Sequence, residues 1–167
     1  MPTAPIHGLD PIENRNAEVL ILGSMPGQES LNRQQYYAHG QNAFWRILAQ
    51  LLEFDARLPY AARVRALKSA RIAVWDVLHS CVRVGSADAG IDPATLAPND
   101  FTAFFRTHRR IRRVFFNGAM AQSCYVKHVL RETGERPLQY RRLPSTSPAY
   151  ASLPFARKLK EWRVIVD

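Results

Sequence analysis

Glu18-Val-Leu-Ile-Leu-Gly23 is a short apolar run closed by glycine, and the turn Ser24-Met-Pro-Gly27 breaks it. A run that is apolar at successive positions, not at alternate ones, marks a strand buried on both faces of a sheet. Working outward, similar runs return at Arg71-Ile-Ala-Val-Trp-Asp-Val-Leu78, a strand ending near Asp76, and at Arg112-Arg-Val-Phe-Phe-Asn117. Leu138-Gln-Tyr-Arg-Arg-Leu143 is a further strand and Trp162 to Val166 a terminal one. Helical spacing fills the intervals. It covers Asn42 to Phe54 with Asn42 as N-cap, residues 57–69, Asn99 to His108, a helix opened by Gly118 and running to about Arg131, and residues 152–160. Residues 80–97 have the glycines and aspartates of a loop, and the first seventeen residues form a polar lead-in.

Strands alternating with helices predict an α/β chain, a three-layer α/β/α sandwich around a central, mostly parallel sheet of four to five strands. At 167 residues and 47% hydrophobic, the chain suits one core and one domain spanning 1–167. Ligands of such sheets gather at the carboxyl ends of the strands, so the loops that begin at Gly23, Asp76, Asn117 and Leu143 are the ones to watch.

Composition narrows the function. No stretch approaches the roughly 18–20 apolar residues that span a bilayer, and the opening has neither a basic start nor an apolar run, so a soluble intracellular protein is expected. Cys81 and Cys124 form no CxxC pair and have no closely spaced histidine. Four-thiolate iron–sulfur and zinc sites are thereby excluded; two buried free thiols, no metal and no cofactor are expected. The net charge is +9, with Arg106, Arg109, Arg110, Arg112 and Arg113 in one cluster and Arg131, Arg136, Arg141 and Arg142 in another. Arginine's planar fork suits phosphate, which favours a polyanionic partner, although a solvated basic surface fits the same charge.

The segment after the first turn carries Tyr36, Tyr37, His39 and Asn42 between two secondary elements. With Gly23-Ser24-Met25-Pro26-Gly27, it resembles the first active-site motif of the uracil-DNA glycosylase superfamily. The mismatch-specific branch has a Gly-x-Asn-Pro-Gly turn, an aromatic-Ala-His and an Asn-x-Phe-Trp; the counterparts here are the Gly23 turn, Tyr37-Ala38-His39 and Asn42-Ala43-Phe44-Trp45. Leu143-Pro-Ser-Thr-Ser-Pro-Ala-Tyr150 resembles the second motif, a Pro-Ser loop that enters the minor groove. The strand ending at Asp76 resembles the middle strand, whose last polar residue contacts the base edge.

Two departures place the resemblance within the superfamily. Met25 stands where the first motif usually has a catalytic Asn or Asp, and Leu143 where many members have histidine. Together with Asn42 before Phe-Trp, this is similar to the hypoxanthine-DNA glycosylase branch. The resemblance implies a base-excision-repair enzyme that acts on DNA, flips out a deaminated base and hydrolyses its N-glycosidic bond; with no obvious catalytic lysine a monofunctional enzyme is expected, acting as a monomer in the cytoplasm. Hypoxanthine is the expected base, and a mismatch-type uracil enzyme the alternative.

The same resemblance implies roles. Asn42 and His39 are the catalytic candidates: Asn42 holds the attacking water or hydrogen-bonds the departing purine, and His39 orients the loop or stabilises the leaving base. Gly23, Ser24, Met25, Tyr37, Asp76 and Asn117 are candidates for the base, with Tyr37 as stacking face. Pro26, Gly27, Gly118, Ser145, Thr146, Ser147, Pro148 and Tyr150 are candidates for DNA, with the Asn117-Gly118 backbone N–H groups offered to a phosphate and Pro148 and Tyr150 as the wedge. Asp76, as a carboxylate, accepts from hypoxanthine N1–H and repels the lone pair of adenine N1, although an aspartate there also caps turns. Two other classes remain open: a non-catalytic nucleic-acid-binding domain of this fold, and a Rossmann-like hydrolase using Ser24 or Ser30. The second lacks a GxSxG elbow.

Overall fold

A computed structural model describes residues 4–134 and 136–167. In chain order the strands are β1 (Ile6–His7), β2 (Val19–Gly23), β3 (Ile72–Asp76), β4 (Leu78–Cys81), β5 (Ala97–Pro98), β6 (Arg113–Asn117) and β7 (Gln139–Leu143). The helices are α1 (Gln28–Arg33), α2 (Phe44–Leu52), α3 (Tyr60–Ser69), α4 (Phe101–Thr107), α5 (Ala119–His128), α6 (Leu130–Thr133) and α7 (Phe155–Trp162). The main sheet is four-stranded and parallel, in the order β3-β2-β6-β7. β2 is buried at all five positions. Its successive side chains point to opposite faces: Leu20 and Leu22 join Val114, Phe116, Phe101, Phe105 and Tyr125 on one side, and Val19 and Ile21 join Phe115, Phe44, Ile47, Leu48 and Trp162 on the other. Two cores separated by a sheet make the α/β/α sandwich. Both cysteines are buried free thiols.

β7 is the polar edge, with Gln139, Arg141 and Arg142 exposed, a composition that discourages further pairing. The expected strand from Trp162 to Val166 is instead the end of α7 followed by a 3-10 turn, Arg163–Val166. Its carbonyls are met by a side chain: Arg113 donates through Nη1 to Val164 O at 2.9 Å and through Nη2 to Ile165 O at 3.0 Å. The expected loop 80–97 is more ordered than its composition suggests. β4 pairs antiparallel with β1 and β5 in a small second sheet, and Arg83 bridges to Ile91.

Register places the site. Gly23 pairs with Asp76 and Asn117 with Leu143, so all four predicted loops leave the sheet at one level.

Candidate active site

Gly23, Tyr37 and Asp76 meet at the end of β2. A β-carbon at Gly23 would collide with the Asp76 carboxyl and stand 2.9 Å from the Tyr37 hydroxyl, so glycine is required for the three to converge. Tyr37 Oη and Asp76 Oδ2 are fully enclosed and have no hydrogen-bond partner among the described residues. Buried polar atoms left this way are costly and uncommon, and they concentrate where a group has a catalytic or binding role or meets a water. Burial, with the nearby Asp88 charge, raises the Asp76 pKa to about 7, and Arg83 works against the rise. Burial and Asp76 likewise push the Tyr37 hydroxyl upward, with the neighbouring Asn117 amide opposing.

Tyr37 is held in a left-handed conformation, φ 53°. For a non-glycine residue this costs about 1–3 kcal/mol and persists where neighbours fix it. Here Tyr36 is pinned from every side. Its hydroxyl donates to Leu9 O and Asp10 O, its N–H donates to Tyr60 Oη at 3.0 Å, and its carbonyl accepts from Trp45 Nε1 at 2.7 Å. Ala38 N–H donates to Ser30 Oγ at 3.1 Å. The Tyr37 ring stacks on Phe44 with centroids 4.1 Å apart.

Asn42 precedes α2, whose N-cap is Ala43 and not Asn42 as expected. Its Oδ1 nonetheless accepts from Phe44 N–H at 2.9 Å, which fixes the amide, and the two Nδ2 donors have no protein partner among the described residues. His39 is exposed, and its Nδ1 accepts from Gln41 N–H.

Several predicted ligand contacts are spent on structure. Asn117 Nδ2 donates to Thr146 Oγ1 and Thr146 N–H donates back to Asn117 Oδ1, both at 2.9 Å, which ties the end of β6 to the 144–150 loop. One Nδ2 hydrogen and one Oδ1 lone pair of Asn117 are thereby taken by Thr146, which is 1% exposed. The Gly118 N–H, offered above to a phosphate, donates to Leu143 O and Phe116 O. Gly118 is glycine because its φ is 95° and a β-carbon would press on Ser145. Met25 and Pro26 are buried, Met25 within the larger core. Ser24 Oγ donates to Asp88 Oδ1 at 2.6 Å and Ser30 Oγ accepts from Ala38 N–H, so neither serine is paired with a histidine and the hydrolase reading loses its nucleophile. Gly27, Ser145, Ser147, Pro148 and Tyr150 retain exposed surface at the rim.

The model of the uracil DNA glycosylase superfamily matches residues 11–165. The chain belongs to that superfamily. A Methanosarcina barkeri protein named hypoxanthine DNA glycosylase is 37% identical over 128 residues, covering 76% of this chain and 78% of its own. A Methanosarcina acetivorans protein of the same name is 32% identical over 159 residues, 95% and 96% of the two chains. A solution structure from Methanosarcina acetivorans, described as a candidate uracil DNA glycosylase, superposes with a TM-score of 0.81 at 32% identity over 98% of this chain and 97% of that one.

Within this superfamily member, sequence reasoning missed the loop that clamps the first motif. Arg83 is 4% exposed; it donates through Nη1 to Pro26 O at 2.7 Å and through Nε to Gly85 O at 2.8 Å, and its Nη2 is enclosed without a partner among the described residues. Ser86 Oγ accepts from Gln28 N–H at 3.0 Å, and Asp88 takes the Ser24 hydroxyl. Residues 83–88 thus grip the Gly23–Gly27 turn from outside. An isolated arginine in a glycine-rich stretch gives no periodic signal by which to find it.

Proposed function

We propose that this chain is a monofunctional DNA glycosylase of base excision repair that hydrolyses the N-glycosidic bond of a flipped deaminated base, hypoxanthine, acting as an intracellular monomer on DNA. The observation that carries the reading is the convergence of Gly23, Tyr37 and Asp76, where the enclosed Tyr37 Oη and Asp76 Oδ2 have no partner among the described residues. The names of the Methanosarcina relatives support the choice of base.

The bond is unreachable inside a duplex, so the nucleotide is extruded at a cost of a few kcal/mol. Stacking on the Tyr37 face opposite Phe44 returns about 1–3 kcal/mol. Asp76 accepts from purine N1–H, a contact that adenine cannot make, and the otherwise unmatched buried group penalises the normal base. As the glycosidic bond breaks, positive charge grows on the sugar and negative charge on the purine. Asn42 Nδ2 donates to the departing base; because Oδ1 is held by Phe44 N–H, this fits the geometry better than deprotonating a water, for which an amide is too weak.

The test is incubation with a duplex carrying one hypoxanthine. Free base and a strand cut only after alkali are expected. A strand cut without alkali, or a protein–DNA adduct trapped by borohydride, contradicts the monofunctional reading; DNA binding with no base released favours the non-catalytic domain.

A further inference from the structure

A groove of about 540 Å³ lies between the 40–46 segment and the 146–158 segment, lined among others by Gly40, Gln41, Arg46, Ser147, Phe155 and Lys158. Gly23, Tyr37 and Asp76 do not line it, so it is distinct from the position proposed for the base. The two are adjacent: Ala43, next to Asn42, donates its N–H to Thr146 O at 3.0 Å along the groove wall.

Two cations face this groove without a counter-charge. Lys158 is 5% exposed, its ammonium 5.4 Å from the Tyr150 ring centroid, with no ion pair or hydrogen bond among the described residues. Arg46 lies with its guanidinium 5.0 Å over the Phe155 ring and also lacks a carboxylate partner among them. Glu161, on the same helix as Lys158, contacts Arg141; Glu53 and Asp55 share a second hollow with Arg46 and Phe155, but Asp55 binds Arg57 and neither carboxylate forms an ion pair with Arg46 among the described residues. Burial and Arg46 both lower the Lys158 pKa, so the pair is mutually unfavourable as it stands. The Lys158 stem is buried while its ammonium opens on the groove, and an ammonium beside a second cation becomes favourable once an anion enters between them. Ser147 adds a donor, since its Oγ accepts from Ala149 N–H and its own proton is unspent.

We propose that Arg46, Lys158 and the Ser147 hydroxyl form an anion subsite that holds one backbone phosphodiester of the DNA beside the extruded nucleotide. The inference rests on the glycosylase reading for its occupant. A phosphate gripped here fixes the strand on the side of the 144–150 loop and gives the rim a charged anchor independent of base identity.

Lys158→Met keeps the buried stem and removes the charge; Arg46→Gln alters an exposed position and serves if the first variant folds poorly. Binding to a hypoxanthine duplex is measured against salt, and then against duplexes in which one neutral methylphosphonate is walked along the lesion strand. The slope of log K on log salt should fall by about one in either variant. At one linkage the methylphosphonate should weaken wild-type binding at least fivefold and leave the variant unchanged. Equal slopes and equal methylphosphonate profiles in wild type and variants overturn the proposal. So does a borohydride adduct formed by wild type and lost in Lys158→Met, which makes the lysine a nucleophile. Should wild type release no base while the slope and the linkage effect persist, the subsite stands and the glycosylase reading falls.

Discussion

Asn117 and Thr146 bind each other twice, side chain to side chain and backbone to side chain, each at 2.9 Å, and so lock two of the four loops that surround the site. The same threonine's carbonyl accepts from Ala43 N–H. Three of the predicted contact segments, at Asn42, Asn117 and Ser145, are thereby a single rigid unit. Thr146→Val should cost about 1 kcal/mol, because the half-buried Asn117 Nδ2 loses its acceptor. Urea unfolding checks this, and a double-mutant cycle with Asn117→Ala should show strong non-additivity; additive losses would mean that the pair is not coupled.

Gly23→Ala tests the convergence of the base pocket. The added methyl meets the Asp76 carboxyl and the Tyr37 hydroxyl, and neither can move far within a packed core. Overpacking of this kind costs about 1–3 kcal/mol. Base release should fall at least about tenfold, equivalent to ~1.4 kcal/mol, while affinity for undamaged duplex is kept. Unchanged release in Gly23→Ala would show that the pocket lies elsewhere.

Asp76 makes stability depend on pH in an unusual direction. Its pKa is raised from 3.8 to about 7 in the folded chain, so between those values the folded state holds a proton that the unfolded state has lost. The contribution is full below about pH 4 and is lost as pH rises through about 7. Asp76→Asn, neutral throughout, should lack this decline, and urea midpoints from pH 4 to 8 decide it. Release of hypoxanthine under subsaturating conditions should show the opposite limb, falling below about pH 7 as the acceptor is protonated, and should be flat in Asp76→Asn. A wild-type rate without that limb would remove Asp76 from recognition of N1–H.

Arg83 should behave as a positioning residue. Lysine cannot span Pro26 O and Gly85 O with one planar fork, so Arg83→Lys loosens the turn that carries Gly23. A loss of about tenfold or more in single-turnover release is expected, with duplex affinity within about threefold. Loss of affinity with the release rate intact would place Arg83 on DNA instead.

The sequence made the sheet legible because β2, β3 and β6 are apolar and punctuated by Gly23, Asp76 and Asn117, and parallel strands buried on both faces leave that pattern. It also made Tyr37, Asn42 and Asp76 legible as candidates, since Tyr37 and Asn42 belong to a polar, aromatic-rich segment between two helices and Asp76 closes an apolar strand. The 162–166 strand failed because Trp-Arg-Val-Ile-Val suits β propensity, whereas the carbonyls of Val164 and Ile165 are capped by Arg113 from β6, fifty residues away. The bond between Asn117 and Thr146 was illegible for a related reason. A polar residue at a strand end signals a site, but which group it binds is decided by a partner distant in sequence. Nothing local marks Arg83, Ser86 and Asp88 as the outer grip on the first motif.

The most direct measurement is single-turnover release from matched duplexes carrying hypoxanthine, uracil, xanthine or ethenoadenine, by wild type and Asn42→Ala. Hypoxanthine should be released fastest, and Asn42→Ala should be slower by about 10²-fold or more, the scale of a lost proton or hydrogen-bond donor at the leaving group. Uracil as the dominant product, or an Asn42→Ala variant as fast as wild type, would contradict the account.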